Sequence, residues 1–129
     1  MPYINIRIGT PLNQIQKTTL CERTTALMNE VLRKKRPVTV VNILETAPEA
    51  WAVDGAVLGP NDPPGVYVDI KVTETTNTSE EKSQMIAQTI EMLRDVVGDI
   101  QEPSYVVIDD IPADSWGYNG KTQAARMSK

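Results

Sequence analysis

The sequence predicts an α/β (α+β) protein in which tandem β-α-β repeats form a four-stranded sheet with two helices on one face. Three observations predict this fold: an internal repeat, a strictly alternating strand at the start of each repeat, and a capped amphipathic helix after each strand. Trp51 and Trp116 lie 65 positions apart in the 129-residue chain, as do Ile43 and Ile108. The order of elements is therefore the same in both halves.

The first strand of each repeat has an apolar residue at every second position, which is typical of a strand buried on one face. These apolar residues are Ile4, Ile6 and Ile8 in the first repeat, and Val68, Ile70 and Val72 in the second. The other face carries Tyr3, Asn5, Arg7, Tyr67, Asp69 and Lys71. We expect Arg7 to pair with Asp69 across the sheet. This semi-polar face also predicts burial against other subunits, and hence an oligomer.

A helix follows each of these strands. Asn13 with Gln16, and Thr78 with Glu81, have the spacing of a capping box at a helix start. Apolar residues then recur at three- and four-residue steps, at Ile15, Leu20, Leu27, Met28, Val31 and Leu32, and at Met85, Ile86, Ile90, Leu93 and Val97. Pro37 and Pro103 end the two helical regions. The basic cluster at residues 33–36 is expected at the C-terminal end of the first helix, where cations complement the helix dipole.

A second strand follows each helix, in "VTVVNIL" and "SYVVIDDI". Two strands joined by a helix are most simply parallel. The segments "WAVDG" and "WGYNG" contain Asp-Gly and Asn-Gly, which favour tight hairpins. We expect a first repeat at 2–57, a Pro- and Gly-rich linker at 58–65, a second repeat at 66–123 and a tail at 124–129.

Composition excludes several classes of function. The net charge of −4 argues against a nucleic-acid surface, which needs concentrated Lys and Arg. Histidine is absent, so catalytic schemes built on it are excluded, together with the commonest metal ligand. The single cysteine indicates no oxidising compartment, and no apolar run reaches membrane-spanning length. We therefore expect a cytoplasmic protein with neither metal nor cofactor, and no nucleic-acid or membrane partner.

At this point the chain resembles a known family. The segments "PYINIRI", "NQIQK" with "TSEEK", and "EAWAVDG" with "IDDIPADSWGYNGKTQ" appear in the order and spacing of the 4-oxalocrotonate tautomerase family. Two such units in one chain resemble its fused members. The resemblance covers residues 2–123. It implies a homotrimer, because single-unit relatives form hexamers built as trimers of dimers.

The resemblance also implies a catalytic residue. Met1 is removed, and the secondary amine of Pro2 moves a proton between carbon and oxygen in a keto-enol tautomerisation. An ordinary α-amine has a pKa of about 7.7–8.0, and burial lowers it, so a neutral base at pH 7 is reasonable for such a group. Val66 stands at the corresponding place in the second repeat, where the chain has no free amine. One catalytic proline per chain is expected.

The chain departs from the family at the residues that bind substrate. Typical members hold a dicarboxylate with two arginines, but the places before the helix caps are Leu12 and Asn77 here. The places on the second strands are Val40, or Asn42 if the loop gap is placed differently, and Tyr105. The family's site-lining aromatic is matched by Trp51 and Trp116. The candidate substrate-binding residues are Tyr105, Trp116, Trp51, Asn42 and Arg7, where Tyr105 would donate to a carbonyl or enolate oxygen and Arg7 would meet an anion.

Other cations that we consider for an anionic substrate are Lys71, Arg36 and Lys121. Asp109 and Asp110 are adjacent on a strand, so they point to opposite faces and cannot share one site.

Three functions remain open from the sequence. The first is an isomerase for a small 2-oxo acid or related carbonyl compound, with Pro2 as the base. The second is a hydratase, dehalogenase or decarboxylase of the same superfamily, in which a protonated proline serves as the acid. The third is a trimeric structural or binding module without chemistry. The first is the leading hypothesis. The pKa of Pro2 separates it from the second, and the missing arginines keep the third open.

Overall fold

The computed structural model describes residues 2–127; Met1, Ser128 and Lys129 lie outside the described part. The predicted removal of Met1 and the end of the predicted tail therefore fall outside it as well. The first half contains β1 (Tyr3–Ile8), α1 (Gln14–Glu30), β2 (Val40–Glu45), β3 (Ala52–Val53) and β4 (Ala56–Val57). The second half contains β5 (Val66–Thr73), α2 (Ser79–Val97), β6 (Tyr105–Ile111), β7 (Gly117–Tyr118), β8 (Lys121–Thr122) and α3 (Gln123–Met127).

The four long strands form one sheet in the order β2-β1-β5-β6. Strand β1 is parallel to β2, and β5 is parallel to β6, whereas the central pair β1 and β5 is antiparallel. The two β-α-β units thus lie side by side, related by an approximate twofold axis through the central pair. The predicted fold class and the four-stranded sheet are confirmed. The domain bounds remain a prediction.

Both long helices begin where the sequence predicts. Asn13 caps α1 and Thr78 caps α2, and each forms a complete capping box with the residue three positions later. The helices pack on one face of the sheet, over isoleucines and valines that are at most 1% exposed: Ile4, Ile6, Ile8, Val66, Val68, Ile70 and Val72. Leu20, Met28, Met85, Met92 and Leu93 complete this core. A core without phenylalanine is thus built from aliphatic side chains and methionine.

Two of the predicted core positions on the helices are wrong. Ile15 is 78% exposed and Ile86 is 38% exposed. The buried face of α1 runs through Leu20, Thr24 and Met28. Ile15 lies five residues before Leu20, which is about 140° around the helix, so it points away from the sheet.

The predicted pair between Arg7 and Asp69 is also wrong. The antiparallel register places Asn5 opposite Asp69 and Tyr67 opposite Arg7. Asp69 is instead 3.3 Å from the ammonium of Lys71 on its own strand. Alternation predicted the faces of the strands correctly, but the register depends on how the two repeats meet.

The basic cluster lies after α1 rather than in its last turn. The helix ends at Glu30 and has no basic residue in that turn. Arg33 has a positive φ of 58°, and Arg36 begins a short 3₁₀ turn, Arg36–Val38. The cluster therefore belongs to the loop before β2, at the end of the sheet where β1 begins.

Candidate active site

Pro2 lies immediately before β1 and is buried. Its carbonyl oxygen accepts a hydrogen bond from the Val40 amide at 3.4 Å, which ties the start of β1 to the start of β2. Because β1 is a central strand, its first residue lies inside the structure rather than at a free edge.

A cavity of about 410 Å³ opens beside Pro2. Its walls are Tyr3, Pro37, Val38, Val40, Trp116, Gly117 and Tyr118. Most of these side chains are apolar or aromatic, and the volume is in the range of small-molecule sites. Position 40 is one of those where the family would have a substrate-binding arginine. Here Val40 gives this wall an aliphatic side chain instead.

The second repeat supplies the aromatic side of the cavity. Strand β5 runs antiparallel to β1, so its end at Thr73 lies beside the start of β1. Trp116 donates from Nε1 to Thr73 Oγ1 at 3.2 Å, and the β7–β8 hairpin then carries Tyr118 to the same cavity. The structure therefore brings together Pro2 and Trp116, two of the site residues predicted from the sequence.

Asn42 approaches this site through Tyr3. Its amide Nδ2 is 3.5 Å from the Tyr3 hydroxyl oxygen, at the limit of a hydrogen bond. Because that oxygen accepts from Asn42, the hydroxyl proton of Tyr3 is available for another acceptor. The Tyr3 side chain thus connects Asn42 to a cavity that Asn42 itself does not line.

Arg7 and Trp51 form a separate group. They line a cavity of about 360 Å³ together with Leu44, Thr46 and Ala50. Arg7 lies five residues after Pro2 along β1, which corresponds to roughly 16 Å of extended strand. Within one chain, these two candidates therefore lie at the opposite end of the sheet from Pro2.

Tyr105 stands apart from both groups. It begins β6, the edge strand farthest from β2, and is 62% exposed. Its neighbour across the sheet is Tyr67, and β5 separates it from β1. Arg7 lies in the same cross-strand row, opposite Tyr67, so one strand separates it from Tyr105.

The candidate cations differ in their pairing. Lys71 lies 2.9 Å from Asp109 and 3.3 Å from Asp69. Its hydrogen bond to Asp109, together with the nearby Asp69, raises the pKa of Lys71 above its usual value. Asp110 pairs instead with Lys82, so the two adjacent aspartates do point to different faces. Arg36 and Lys121 are exposed, and Lys121 lies in β8.

Sequence reasoning missed Tyr118, Tyr3 and Val38 as residues of the Pro2 cavity. Tyr118 had a signal, because it lies two residues after Trp116 in a segment predicted as a hairpin. Val38 had no such signal, because its place in the cavity depends on the 3₁₀ turn Arg36–Val38, which no sequence pattern predicted.

Across residues 2–127, no group of three or more His, Cys, Asp or Glu residues is arranged to hold a metal ion. No helix in the same range could cross a membrane.

Comparison with known proteins agrees with this architecture. The family model described as Tautomerase enzyme matches residues 2–61 and, a second time, residues 67–126. Probable tautomerase K2 of Dickeya dadantii (strain 3937) is 33% identical over 63 residues, which is 49% of this chain and 94% of that protein. The chain therefore belongs to the tautomerase family.

Solved structures show the same fold in two-repeat chains. The fused 4-OT wild type symmetric trimer has a TM-score of 0.86 at 20% identity and covers 98% of this chain and 99% of its own. Pt0534 inactivated by 2-oxo-3-pentynoate has a TM-score of 0.85 at 19% identity, with the same coverage. The resemblance drawn from the sequence is confirmed: the chain has the fold of a fused, two-repeat member of the family.

Proposed function

We propose that the protein is a keto-enol tautomerase acting on a small 2-oxo acid or related carbonyl compound, with the nitrogen of Pro2 as general base after Met1 is removed. One observation carries the proposal: in a chain of the tautomerase family, Pro2 is buried beside a cavity of about 410 Å³. The full-length homology of one repeat to a probable tautomerase supports an enzyme.

The proposed step needs no co-reactant. In the direction from enol to ketone, the neutral amine removes the enol O–H proton and becomes a pyrrolidinium. The oxygen electron pair forms the C=O bond, and the carbon end of the conjugated C=C system takes the proton back from the pyrrolidinium. The amine is regenerated, and substrate and product have the same atoms. The largely apolar walls favour the neutral, basic form of the amine.

The developing enolate oxygen needs a hydrogen-bond donor. Tyr3 fits this role better than Tyr105, because Tyr3 lines the Pro2 cavity and its hydroxyl oxygen already accepts from Asn42. Tyr105 could take part only if it came from a neighbouring subunit, since it lies on the far edge strand of its own chain.

The decisive experiment combines intact mass with kinetics. We expect protein expressed from its own start codon to lack Met1, and to add one equivalent of 2-oxo-3-pentynoate at Pro2. This acetylenic ketone is the compound that inactivates Pt0534. With 2-hydroxymuconate or phenylenolpyruvate as substrate, Pro2→Ala should lower kcat by about 10²- to 10⁴-fold. Pro60→Ala, which changes an exposed proline of the linker, is the matched control.

The dependence of kcat/KM on pH separates base from acid. A basic proline gives activity that rises with pH up to the pKa of the amine, whereas an acidic proline gives activity that falls above it. Retention of Met1, or full activity of Pro2→Ala, would defeat the general-base proposal. An inactive protein that still forms trimers would support the binding-module alternative.

We further propose a homotrimer as the working assembly. Several similar solved structures of fused 4-OT proteins are trimers. The sheet face opposite the helices is uncovered in the single chain, and its edge strands expose Val40, Leu44 and Tyr105. A trimer that covers this face would also bring Arg7 and Tyr105 of one subunit near the sites of another.

A further inference from the structure

A second cavity adjoins the Pro2 cavity and is strongly basic. It has a volume of about 420 Å³, and Val38 and Tyr118 line both cavities. Its remaining polar lining is Arg33, Lys34, Lys35, Gln123 and Arg126. Four of these five residues are cations, in a chain whose net charge is −4. This basic cavity is formed by the loop after α1 and by the C-terminal helix α3.

Two of these four cations have no carboxylate partner within the described chain. Arg33 is 2.8 Å from Glu81. The ion pairs among residues 2–127 include none made by Lys34, Lys35 or Arg126. The Lys34 ammonium donates to Thr76 Oγ1 at 2.7 Å, and burial lowers its pKa, with Arg33 adding to the effect. Glu81 and Asp110 act in the opposite direction on the pKa of Lys34. Lys35 and Arg126 are thus the two lining cations without a carboxylate partner within residues 2–127, and two such cations in one cavity attract an anion.

Arg126 is fixed in position but incompletely bonded. Its guanidinium lies over the Tyr118 ring, 3.8 Å from the ring centroid, and Nη2 donates to the Tyr118 carbonyl oxygen at 3.0 Å. Its Nε is buried and has no partner within the described chain, and the same is true of Gln123 Oε1. A guanidinium carries five N–H donors, and the hydrogen bond to Tyr118 uses one of them, so Arg126 retains donors for an anion in the cavity that it lines.

We propose that the basic cavity binds the carboxylate of an elongated substrate whose reacting end lies at Pro2. Arg126 and Lys35 provide the charge, and the carbon chain passes between the cavities along Val38 and Tyr118. This site takes the role of the arginines that are absent at Leu12, Asn77, Val40 and Tyr105. The inference rests on the proposed function for its reacting end, but the anion site can be tested without catalysis.

The test uses hexanoate, which has one carboxylate and an apolar tail, and 1-hexanol, which lacks the charge. Calorimetric titration should show hexanoate binding to the wild type more tightly than hexanol. Arg126→Gln and Lys35→Gln should each weaken hexanoate binding by about tenfold or more, since each removes a charge-assisted hydrogen bond. Arg126→Lys should restore part of the affinity. Arg94→Gln, an exposed arginine of α2, is the matched control and should bind as the wild type does.

Catalysis gives an independent measurement. With 2-hydroxymuconate, Arg126→Gln should raise KM by about tenfold and change kcat little, because the carboxylate is held equally in substrate and transition state. Hexanoate affinity that is unchanged in both Gln variants, or equal to that of hexanol, would overturn the anion site. Hexanoate binding could depend on Arg126 while Pro2→Ala keeps full activity. That pair of results would support the anion site and refute only the role of Pro2 as general base.

Discussion

Trp51 packs directly on the backbone of two glycines. A Cβ built on Gly9 would come within 2.5 Å of the indole, and one built on Gly65 would overlap the opposite side of the same ring. The amide of Gly9 donates to the carbonyl oxygen of Gly65 at 3.0 Å, so the indole covers a point where the loop after β1 meets the start of β5. Glycine is required here by space rather than by turn geometry.

We therefore expect Gly65→Ala to lower the free energy of unfolding by about 1–3 kcal/mol, the usual cost of forcing extra atoms into a packed site. Urea unfolding followed by tryptophan fluorescence, with Trp116→Phe in each protein compared so that Trp51 is the emitting residue, measures the stability and the displacement of Trp51. Gly59→Ala is the control in the same linker, because its Cβ would make only an ordinary 3.5 Å contact with Asp62. Equal effects of the two substitutions would show that the indole does not set the requirement.

Among the elements, the two helix caps differ in one respect. In α1 the returning side chain of the capping box is the neutral Gln16, but in α2 it is Glu81. Glu81 accepts from the Thr78 amide at 2.9 Å and from Asn77 Nδ2 at 3.1 Å, and it pairs with Arg33. The Thr78 amide, followed by Arg33 and Asn77, lowers the pKa of Glu81 from 4.5 to about 2. The start of α2 is therefore sensitive to acid.

A carboxylate with a lowered pKa in the folded state stabilises the fold above its unfolded pKa. That contribution is lost as the pH falls through the folded value. From pH 4.5 down to about 2, the wild type should lose more stability than Glu81→Gln, which keeps an acceptor for the Thr78 amide. Thermal unfolding at several pH values measures the difference. Glu80→Gln, which removes a carboxylate from the same helical turn, is the control and should lose stability with acid as the wild type does. If Glu81→Gln also lost as much stability as the wild type over this pH range, the role assigned to Glu81 would be contradicted.

The elements also show how far the sequence could predict this molecule. Alternation, capping boxes and the Asp-Gly and Asn-Gly pairs are local signals, so they predicted the strands, the helix starts and the hairpins. The end of α1 carried no local stop signal at Glu30, and the basic loop after it was assigned to the helix. The grouping of Pro2 with Trp116 depends on the antiparallel register of β1 and β5. Side-chain patterns within one strand do not fix that register.

In the whole molecule, no helix of the described chain packs on the second face of the four-stranded sheet. The helices bury one face at its central strands and partly cover it at the edge strands, whereas the other face carries a polar centre between apolar edges. Lys71 is paired with Asp69 and Asp109 at the centre, and Leu44 is 43% exposed at one edge. A face with an ion-paired lysine at its centre and exposed aliphatic edges is suited to contact with further copies of the chain.

We expect Leu44→Glu to dissociate the proposed trimer, because it places an unpaired carboxylate in an apolar contact between subunits. Light scattering at micromolar concentration should then report a mass near that of one chain, with far-UV circular dichroism unchanged. Ile15→Glu is the matched control, since Ile15 is 78% exposed on the outer side of α1 and should not affect assembly. A wild type that is already monomeric, or a Leu44→Glu variant that remains a trimer, would contradict assembly through this face. Leu44 does not line the cavity at Pro2 in its own chain, so loss of activity together with the trimer would indicate that neighbouring subunits complete the site at Pro2.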